Sequence, residues 1–257
     1  GGIYRDVSLL VVNKSHIALG HFGDTGVKIT PALQENSADI QVETLVEGSG
    51  TVTVELLDAE GRTVAKGEGE NASLHLDAPH LWNGVKDPYL YTCVVRLLQD
   101  GQPVDEVTTR VGLRSFSVDA KKGFFLNGRP YPLHGVSRHQ DRKGLGNAIT
   151  REMHDEDMAL IRELGANTVR LAHYQHDQYF YDLCDQYGLV VWAEIPYISE
   201  HLPNGRENTI SQMKELIHQN YNHPSIVCWG VSNEITISTK DKADMLDNHR
   251  EIGRAHV

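Results

Sequence analysis

Hydrophobic and polar residues alternate along the first 116 residues, in short runs that predict β-strands. Val52, Val54 and Leu56 alternate strictly with polar neighbours, and the run from Tyr91 to Leu97 repeats the pattern. Turn signals separate the runs, at Glu60-Gly61, Asn83-Gly84 and Asp100-Gly101. Short alternating strands joined by turns indicate a sandwich of antiparallel sheets.

Residues 1–34 carry fewer such runs. Strands are expected at residues 7–12 and 27–29, which are too few to close a sheet by themselves. We therefore interpret residues 1–34 as the last strands of a preceding β domain.

After Lys121-Lys122-Gly123 the pattern changes to strands that alternate with amphipathic helices. Strands are predicted at residues 131–136, 168–172, 189–193 and 226–231. Helices are predicted to begin near Thr150, Asp177, Thr209 and Thr239. The strands are almost continuously apolar, as in a parallel sheet covered by helices. Four such units make half of an eightfold barrel.

A doubly wound nucleotide-binding fold is the alternative architecture. That fold needs a glycine-rich turn after its first strand. The loop at residues 137–146 contains Gly144 and Gly146 but not the rest of the glycine pattern, which favours the barrel.

Polar residues stand at the end of every predicted barrel strand, where barrel enzymes place their active sites. They are Arg138, His139 and Asp141 after the first strand, Arg170 and His173-Tyr174 at the second, Glu194 at the third, and Asn233-Glu234 at the fourth. A carboxylate directly after an apolar strand is costly unless it is partnered, and such a position suits a general acid. Trp192 in the third strand and Trp229 in the last are each either a core or rim residue of the barrel or a platform for a sugar ring, and we select Trp229 as the candidate.

Each of these residues also has a structural interpretation. Arg170 and Glu194 are suited to an ion pair, and single histidines are more often structural than catalytic. The three cysteines, Cys93, Cys184 and Cys228, lack metal-binding spacing and are expected to be buried thiols.

Composition excludes two classes of partner. Acidic residues outnumber basic ones by 35 to 24, a net charge of −11, and no basic tract is present, which argues against nucleic acid. No apolar run approaches the roughly 20 residues that span a bilayer. The sequence does not fix the compartment, and we favour the cytoplasm.

Several motifs together resemble glycoside hydrolase family 2, the β-galactosidase and β-glucuronidase group, with details most similar to β-galactosidases. They include Gly135-Val-Ser-Arg-His139, residues 167–174 (NTVRLAHY), Asn222-His-Pro-Ser225 and Asn233-Glu234 in the barrel region. The motifs outside it are residues 2–7, Leu81-Trp82, residues 87–91, residues 111–116 and residues 125–130. Because the matches occur in one order, the chain looks like an internal segment of such an enzyme.

The resemblance implies a multidomain β plus α/β chain. Residues 1–34 would end a sugar-binding jelly roll, residues 35–117 would form an immunoglobulin-like β-sandwich, and residues 118–257 would form the first half of a TIM (β/α)8 barrel. Glu234 would be the general acid/base and Asn233 would bind the sugar's 2-hydroxyl. Arg170, His173 and His139 would line the pocket, and we add Asp141, Glu194 and Trp229 as candidate substrate-binding residues.

The same resemblance implies a retaining hydrolase of terminal β-D-galactosides, a small-molecule carbohydrate substrate and an oligomer of the full-length parent. The nucleophile, a glutamate on the seventh strand of the family, would lie beyond Val257, so the chain alone is expected to be inactive. No cofactor is expected, because residues 194–199 lack the ligand spacing of the magnesium-binding version and Glu200-His201 replaces it only in part. The alternatives are a β-glucuronidase, a β-mannosidase or a non-catalytic carbohydrate-binding module.

Overall fold

The computed structural model describes residues 2–20 and 22–255. Its first half is a β-sandwich with one sheet in the order β2-β3-β7 and another in the order β6-β5-β8-β9, all antiparallel. A short pair, β1-β4, flanks the two sheets. The strands are β1 (His16–Ile17), β2 (Val27–Leu33), β3 (Ser37–Thr44), β4 (Val46–Glu47), β5 (Thr51–Leu57), β6 (Thr63–Glu68), β7 (Asn71–Asp77), β8 (Tyr91–Gln99) and β9 (Gln102–Val111).

The alternating residues close the core between these sheets, as the sequence predicts. Ile40 and Val42 of β3 and Val54 and Leu56 of β5 are all buried, while their neighbours in the strand are more exposed. They belong to a single apolar cluster with the inward residues of β7 and β8. Burial of this alternate face therefore defines the sandwich.

The interpretation of residues 1–34 as a separate β domain needs correction. β2 pairs with β3 along its whole length, so the predicted boundary after residue 34 would separate two bonded strands. The strand expected at residues 7–12 is absent, and Val7, Leu9 and Val11 are exposed. The local pattern predicts β2 correctly but does not show which partner it pairs with.

Between the two halves lies a three-stranded sheet of β10 (Phe116–Asp119), β11 (Gly123–Leu126) and β12 (Arg129–Pro130), which the sequence analysis did not predict. Its second turn is Asn127-Gly128, with both residues at positive φ. Asn-Gly between two apolar runs is a strong hairpin signal, so this element was predictable in principle.

The second half contains the four predicted strand–helix units. β13 (Gly135–Arg138), β14 (Thr168–Leu171), β15 (Val190–Glu194) and β16 (Ile226–Gly230) form a parallel sheet in chain order. The helices are α1 (Arg151–Glu163), α2 (Gln178–Tyr187), α3 (Arg206–Gln219) and α4 (Lys242–Ile252). One apolar cluster joins the strands to the helices. None of the helices in the described ranges is both long and apolar enough to cross a membrane.

Helix ends follow the capping chemistry only in part. Asp177 caps α2 by accepting a hydrogen bond from the Tyr179 amide at 2.9 Å, and Gly188 ends that helix in the left-handed conformation. α3 begins at Arg206, before the predicted Thr209. α4 begins at Lys242 with Asp241 as its cap, after the predicted Thr239. The first strand likewise begins at Gly135, inside the predicted residues 131–136.

The sandwich docks on the amino-terminal end of the parallel sheet. Asn222, which precedes β16, accepts a hydrogen bond from the Ile29 amide and donates one to the Val27 carbonyl, both at 2.9 Å. Trp82 donates its indole N–H to the Asp185 carbonyl at 2.9 Å. This docking leaves the carboxyl ends of the strands free for the site.

Candidate active site

The parallel sheet has one face under the helices and one open face. Val169, Leu171, Val191 and Ala193 are fully buried in the cluster shared with the helices. Arg170 lies between two of them in β14 and is only partly buried. Since successive strand residues point to opposite faces, Arg170 lies on the open face. Its register partners share that face, namely Trp192 on β15 and, next to Trp192, Cys228 on β16.

A hydrogen-bonded group forms on this open face at the carboxyl ends of the strands. Arg170 donates through Nε to Oε1 of Glu194 and through Nη2 to Oδ1 of Asn233 at 2.7 Å. His173 Nδ1 lies 2.8 Å from the other oxygen of Glu194. Glu194 has a side-chain exposure of 0%, and Arg170 is the cationic partner of this buried carboxylate. The ion-pair interpretation of Arg170 and Glu194 is therefore correct.

The side-chain nitrogen of Asn233 has no hydrogen-bond partner, whereas its side-chain oxygen has one. An arginine can only donate, so the side-chain oxygen of Asn233 faces Arg170 and its nitrogen points away. That nitrogen is buried and has no hydrogen-bond partner. A buried donor without a partner is costly, and a ligand hydroxyl placed beside it would satisfy it.

Glu234 follows directly, and its surroundings differ from the expectation. Its side chain is exposed rather than buried after the apolar strand. Its backbone has φ = 50°, in the left-handed region that non-glycine residues rarely adopt. Such a conformation costs on the order of 1–3 kcal/mol and is found preferentially at functional sites. Glu234, with this left-handed backbone and an exposed side chain, thus directly follows the residue with the unsatisfied amide.

His139 joins the group from the loop after β13. Its ring lies 5.0 Å from the His173 ring, edge to face, and 6.2 Å from the Tyr174 ring. The loop is fixed by the Gln140 amide, which donates to the Tyr174 hydroxyl at 3.1 Å. Burial raises the pKa of that hydroxyl. Asp141 follows in the same loop and is exposed. The two histidines predicted from different strand ends therefore lie together.

Trp229 does not lie at the site. It packs against the helix-side cluster and lines a cavity of about 630 Å³ with Arg114 and Tyr221. The tryptophan on the open face is Trp192, which is 43% exposed and lies 5.4 Å below the Arg170 guanidinium. Gly230 leaves room for it, because a Cβ there would be 2.4 Å from the indole nitrogen. Trp192 shares the face of Glu194, which lies two residues later in the same strand.

The residues near Glu194 do not fit a magnesium site. Both oxygens of Glu194 are already bound by Arg170 and His173. His201 has both ring nitrogens engaged, with the Tyr197 hydroxyl and with Asp244, each at 2.6 Å. A cation would have to displace these partners to be coordinated.

A second group of possible metal ligands lies elsewhere, where the sandwich meets the barrel. Asp182, Asp185 and His223 each offer one possible ligand atom, and these three atoms lie within 4.8 Å of one another. His223 Nδ1 is 2.6 Å from Asp185, and Arg110 lies 3.6 Å from Asp182. These ion pairs explain the cluster as part of the docking surface.

Comparison with known proteins shows the family of both halves of the chain. A family model described as "Glycosyl hydrolases family 2, TIM barrel domain" matches residues 117–255, and another described as "Glycosyl hydrolases family 2" matches residues 21–114. A β-glucuronidase of Bacteroides fragilis is 41% identical over 91% of this chain. A β-galactosidase of Bacteroides ovatus is 34% identical over 95% of it.

A crystal structure of a protein from Bacteroides fragilis, described as a putative β-galactosidase, superposes with a TM-score of 0.91 at 38% identity. The superposition covers 95% of this chain and 38% of the crystallised chain. The chain spans 37% of the length of the Bacteroides fragilis β-glucuronidase and 31% of the Bacteroides ovatus β-galactosidase.

Proposed function

The chain belongs to glycosyl hydrolase family 2, and we propose that the protein carrying it removes a terminal β-linked sugar with Glu234 as general acid/base. One observation carries this proposal. The exposed carboxylate of Glu234 follows a buried amide, that of Asn233, whose nitrogen has no partner. The first supplies a proton donor and the second a donor for a sugar hydroxyl, side by side at the ends of parallel strands.

In the proposed reaction Glu234 first protonates the departing glycosidic oxygen and then deprotonates the incoming water. Retention of configuration requires a second carboxylate about 5–5.5 Å away as nucleophile. Glu194 is unsuited to that role, because it is buried and bound on both oxygens. We therefore propose that the nucleophile comes from outside these 257 residues.

The remaining residues of the open face would hold the sugar. Arg170 and Glu194 fix the Asn233 amide, so its free N–H is oriented before substrate arrives. We propose that this N–H binds the 2-hydroxyl, next to the reacting carbon. We propose that His139 and His173, whose rings lie edge to face, form the adjacent wall of the pocket.

Two sugars are candidates. A β-glucuronide is favoured by the relatives named β-glucuronidase, at 41% and 39% identity. A β-galactoside, the expectation from the sequence motifs, is favoured by the Bacteroides ovatus relative at 34% identity. The sugars differ in the configuration of the 4-hydroxyl and at C6, where only the glucuronide carries a carboxylate. Arg170 is neutralised by Glu194 and does not supply a free cation for that carboxylate.

The experiment is an assay of the protein that carries this chain on aryl β-glucuronide, β-galactoside and β-mannoside. We expect Glu234→Gln to lower kcat/KM on the preferred sugar by about 10²–10⁴, the usual share of general acid catalysis. Glu207→Gln is the matched control, since Glu207 is exposed in the first turn of α3. Equal activity of Glu234→Gln and Glu207→Gln would refute the assignment.

The 257-residue chain by itself is expected to hydrolyse none of these substrates. Turnover that Glu234→Gln abolishes in this chain would show that it contains its own nucleophile.

A further inference from the structure

The loop after β15 and the loop after β16 run side by side, joined by backbone hydrogen bonds. The Asn233 amide donates to the Tyr197 carbonyl at 2.9 Å, and the Ser199 amide donates to the Asn233 carbonyl at 3.0 Å. The Ser238 amide continues the pattern to the Ser199 carbonyl at 3.0 Å. The main chain of Asn233 is therefore held on both sides by the neighbouring loop.

His201 holds the far end of that neighbouring loop. The residue is 5% exposed, although it lies in a loop. Its Nδ1 is 2.6 Å from the Tyr197 hydroxyl, and its Nε2 is 2.6 Å from Oδ2 of Asp244 in the first turn of α4. Its backbone amide donates to the Thr239 hydroxyl at 2.8 Å. A single imidazole thus joins the loop after β15 to the helix that follows Glu234.

The donors and acceptors at His201 match in one arrangement. The Asp244 carboxylate can only accept, so Nε2 carries a proton and donates to it. Nδ1 then accepts from the Tyr197 hydroxyl, so that the ring is hydrogen-bonded to both neighbours. The hydrogen bond from His201, with help from Arg206, holds the pKa of Asp244 below its usual range. Arg206 also pairs with Glu251 at 2.9 Å, which anchors the group to the rest of α4.

We propose that His201 is a positioning residue for Asn233 and Glu234, which ties the loop after β15 to α4 through Tyr197 and Asp244. His201 acts through the backbone bonds on either side of Asn233 and does not touch the substrate. The expected effect of His201 on the rate of hydrolysis rests on the proposed function, whereas its effect on the order of the two loops does not.

Hydrogen exchange on the 257-residue chain tests the effect on loop order. In His201→Ala we expect amides of residues 197–202 and 232–239 to exchange at least ~10-fold faster, because losing the hydrogen bonds of His201 to Tyr197 and Asp244 lets both loops open locally. Amides of β14 and β5 should be unchanged. Tyr197→Phe, which removes only the hydroxyl, should give a smaller effect in the same segments. His201→Gln, which keeps a donor toward Asp244, should restore part of the protection.

The control is His75→Ala, since His75 is an exposed histidine that pairs with Asp39 in the sandwich. Unchanged exchange at residues 232–239 in His201→Ala would overturn the proposal. Faster exchange spread evenly over the parallel sheet would also overturn it, since that reports general destabilisation. If His201→Ala does not fold, Tyr197→Phe decides by the same criterion.

Kinetics of the protein that carries the chain test the catalytic meaning. His201→Ala should lower kcat by about 10–100-fold with a smaller change in KM, since misplacing a catalytic group by about 1 Å costs up to 10²-fold. In a Glu234→Gln background the same substitution should cost clearly less. An undiminished loss in that background would refute action through Glu234. If Glu234→Gln itself has no effect on activity, the proposed function fails. The hydrogen-exchange result still decides whether His201 orders the two loops.

Discussion

Arg138 and Arg170 lie at the ends of neighbouring strands, and each contacts a carboxylate and a histidine. Arg138 faces the helices, where it donates to Asp157 at 2.7 Å and to His154 and His176 at 3.0 Å. The Phe180 ring covers its guanidinium at 3.9 Å. Arg170 faces the open side, next to Glu194, His173 and Asn233. Register explains the difference, because Arg138 pairs with Leu171, and Arg170 pairs with Ser137.

The two clusters differ in what they leave unsatisfied. Around Arg138 both histidines and Asp157 have partners and water is largely excluded, so that cluster is a closed structural unit. Around Arg170 the cluster ends in the side-chain N–H of Asn233, which has no partner, and the next residue in the chain, Glu234, is exposed. The comparison teaches that a strand-end arginine indicates a site only when it lies on the open face and when its network is incomplete.

The largest expected effect is on stability, and it tests whether Arg170 at the candidate site is also needed for folding. Arg170→Met leaves Glu194 buried with only His173 beside it, so we expect about 3–5 kcal/mol less stability toward urea. The double variant Arg170→Met/Glu194→Gln should recover part of the loss, because it removes the stranded charge. Arg138→Met should cost less, since Asp157 keeps Arg142 at 3.0 Å. A larger loss in Arg138→Met would contradict this.

The sequence could predict the strands and helices, but not which face of the parallel sheet each side chain occupies. Alternation and helical periodicity predicted the sandwich and the four strand–helix units, because burial imposes those periods on the chain. The strands of the parallel sheet are apolar on both faces, so Arg138 and Arg170 appear equivalent in the sequence. Trp192 and Trp229 were indistinguishable for the same reason. Only the register between strands, a long-range property, separates them.

The two tryptophans provide the next test of face. Trp229→Leu should lower stability by about 2–3 kcal/mol, somewhat less than truncating a fully buried aromatic residue, because Trp229 packs between the sheet and α3. Trp192→Leu should cost less stability, since 43% of that residue is exposed. In the protein that carries the chain, Trp192→Leu should raise KM and Trp229→Leu should leave it unchanged. A raised KM in Trp229→Leu together with an unchanged KM in Trp192→Leu would show that the two tryptophans are assigned to the wrong faces of the sheet.

Acid should weaken the closed cluster. Burial lowers the pKa of His176 to about 3, and burial also lowers that of His154. These two histidines therefore bind fewer protons in the folded chain than in the unfolded chain at acidic pH, and their contribution to stability falls as the pH drops from about 6.5 toward 3. His176 alone should cost about 2 kcal/mol of stability between pH 7 and pH 5. Urea unfolding at the two pH values measures this loss.

His176→Gln is the variant that isolates this contribution. Glutamine does not titrate in this range, so the loss of stability between pH 7 and pH 5 should shrink by about 2 kcal/mol relative to the natural chain. His75→Gln removes an exposed histidine of the sandwich whose pKa is raised by its hydrogen bond with Asp39, and should not shrink the loss. An unchanged pH dependence in His176→Gln would show that the closed cluster tolerates a charged imidazole.

The smallest expected effect concerns the backbone at the open cluster. Glu234 holds a left-handed conformation, φ = 50°, that glycine adopts without a steric penalty. Glu234→Gly should therefore be about 1 kcal/mol more stable than Glu234→Ala, which removes the same carboxylate but keeps the strain. Thermal unfolding of the two variants isolates the backbone contribution, because both lack the side chain. Equal stability would mean that the bend after Asn233 carries no strain. A gain for glycine would show that the carboxylate occupies a position where stability alone favours another residue, which is the stability–function conflict expected of a catalytic group.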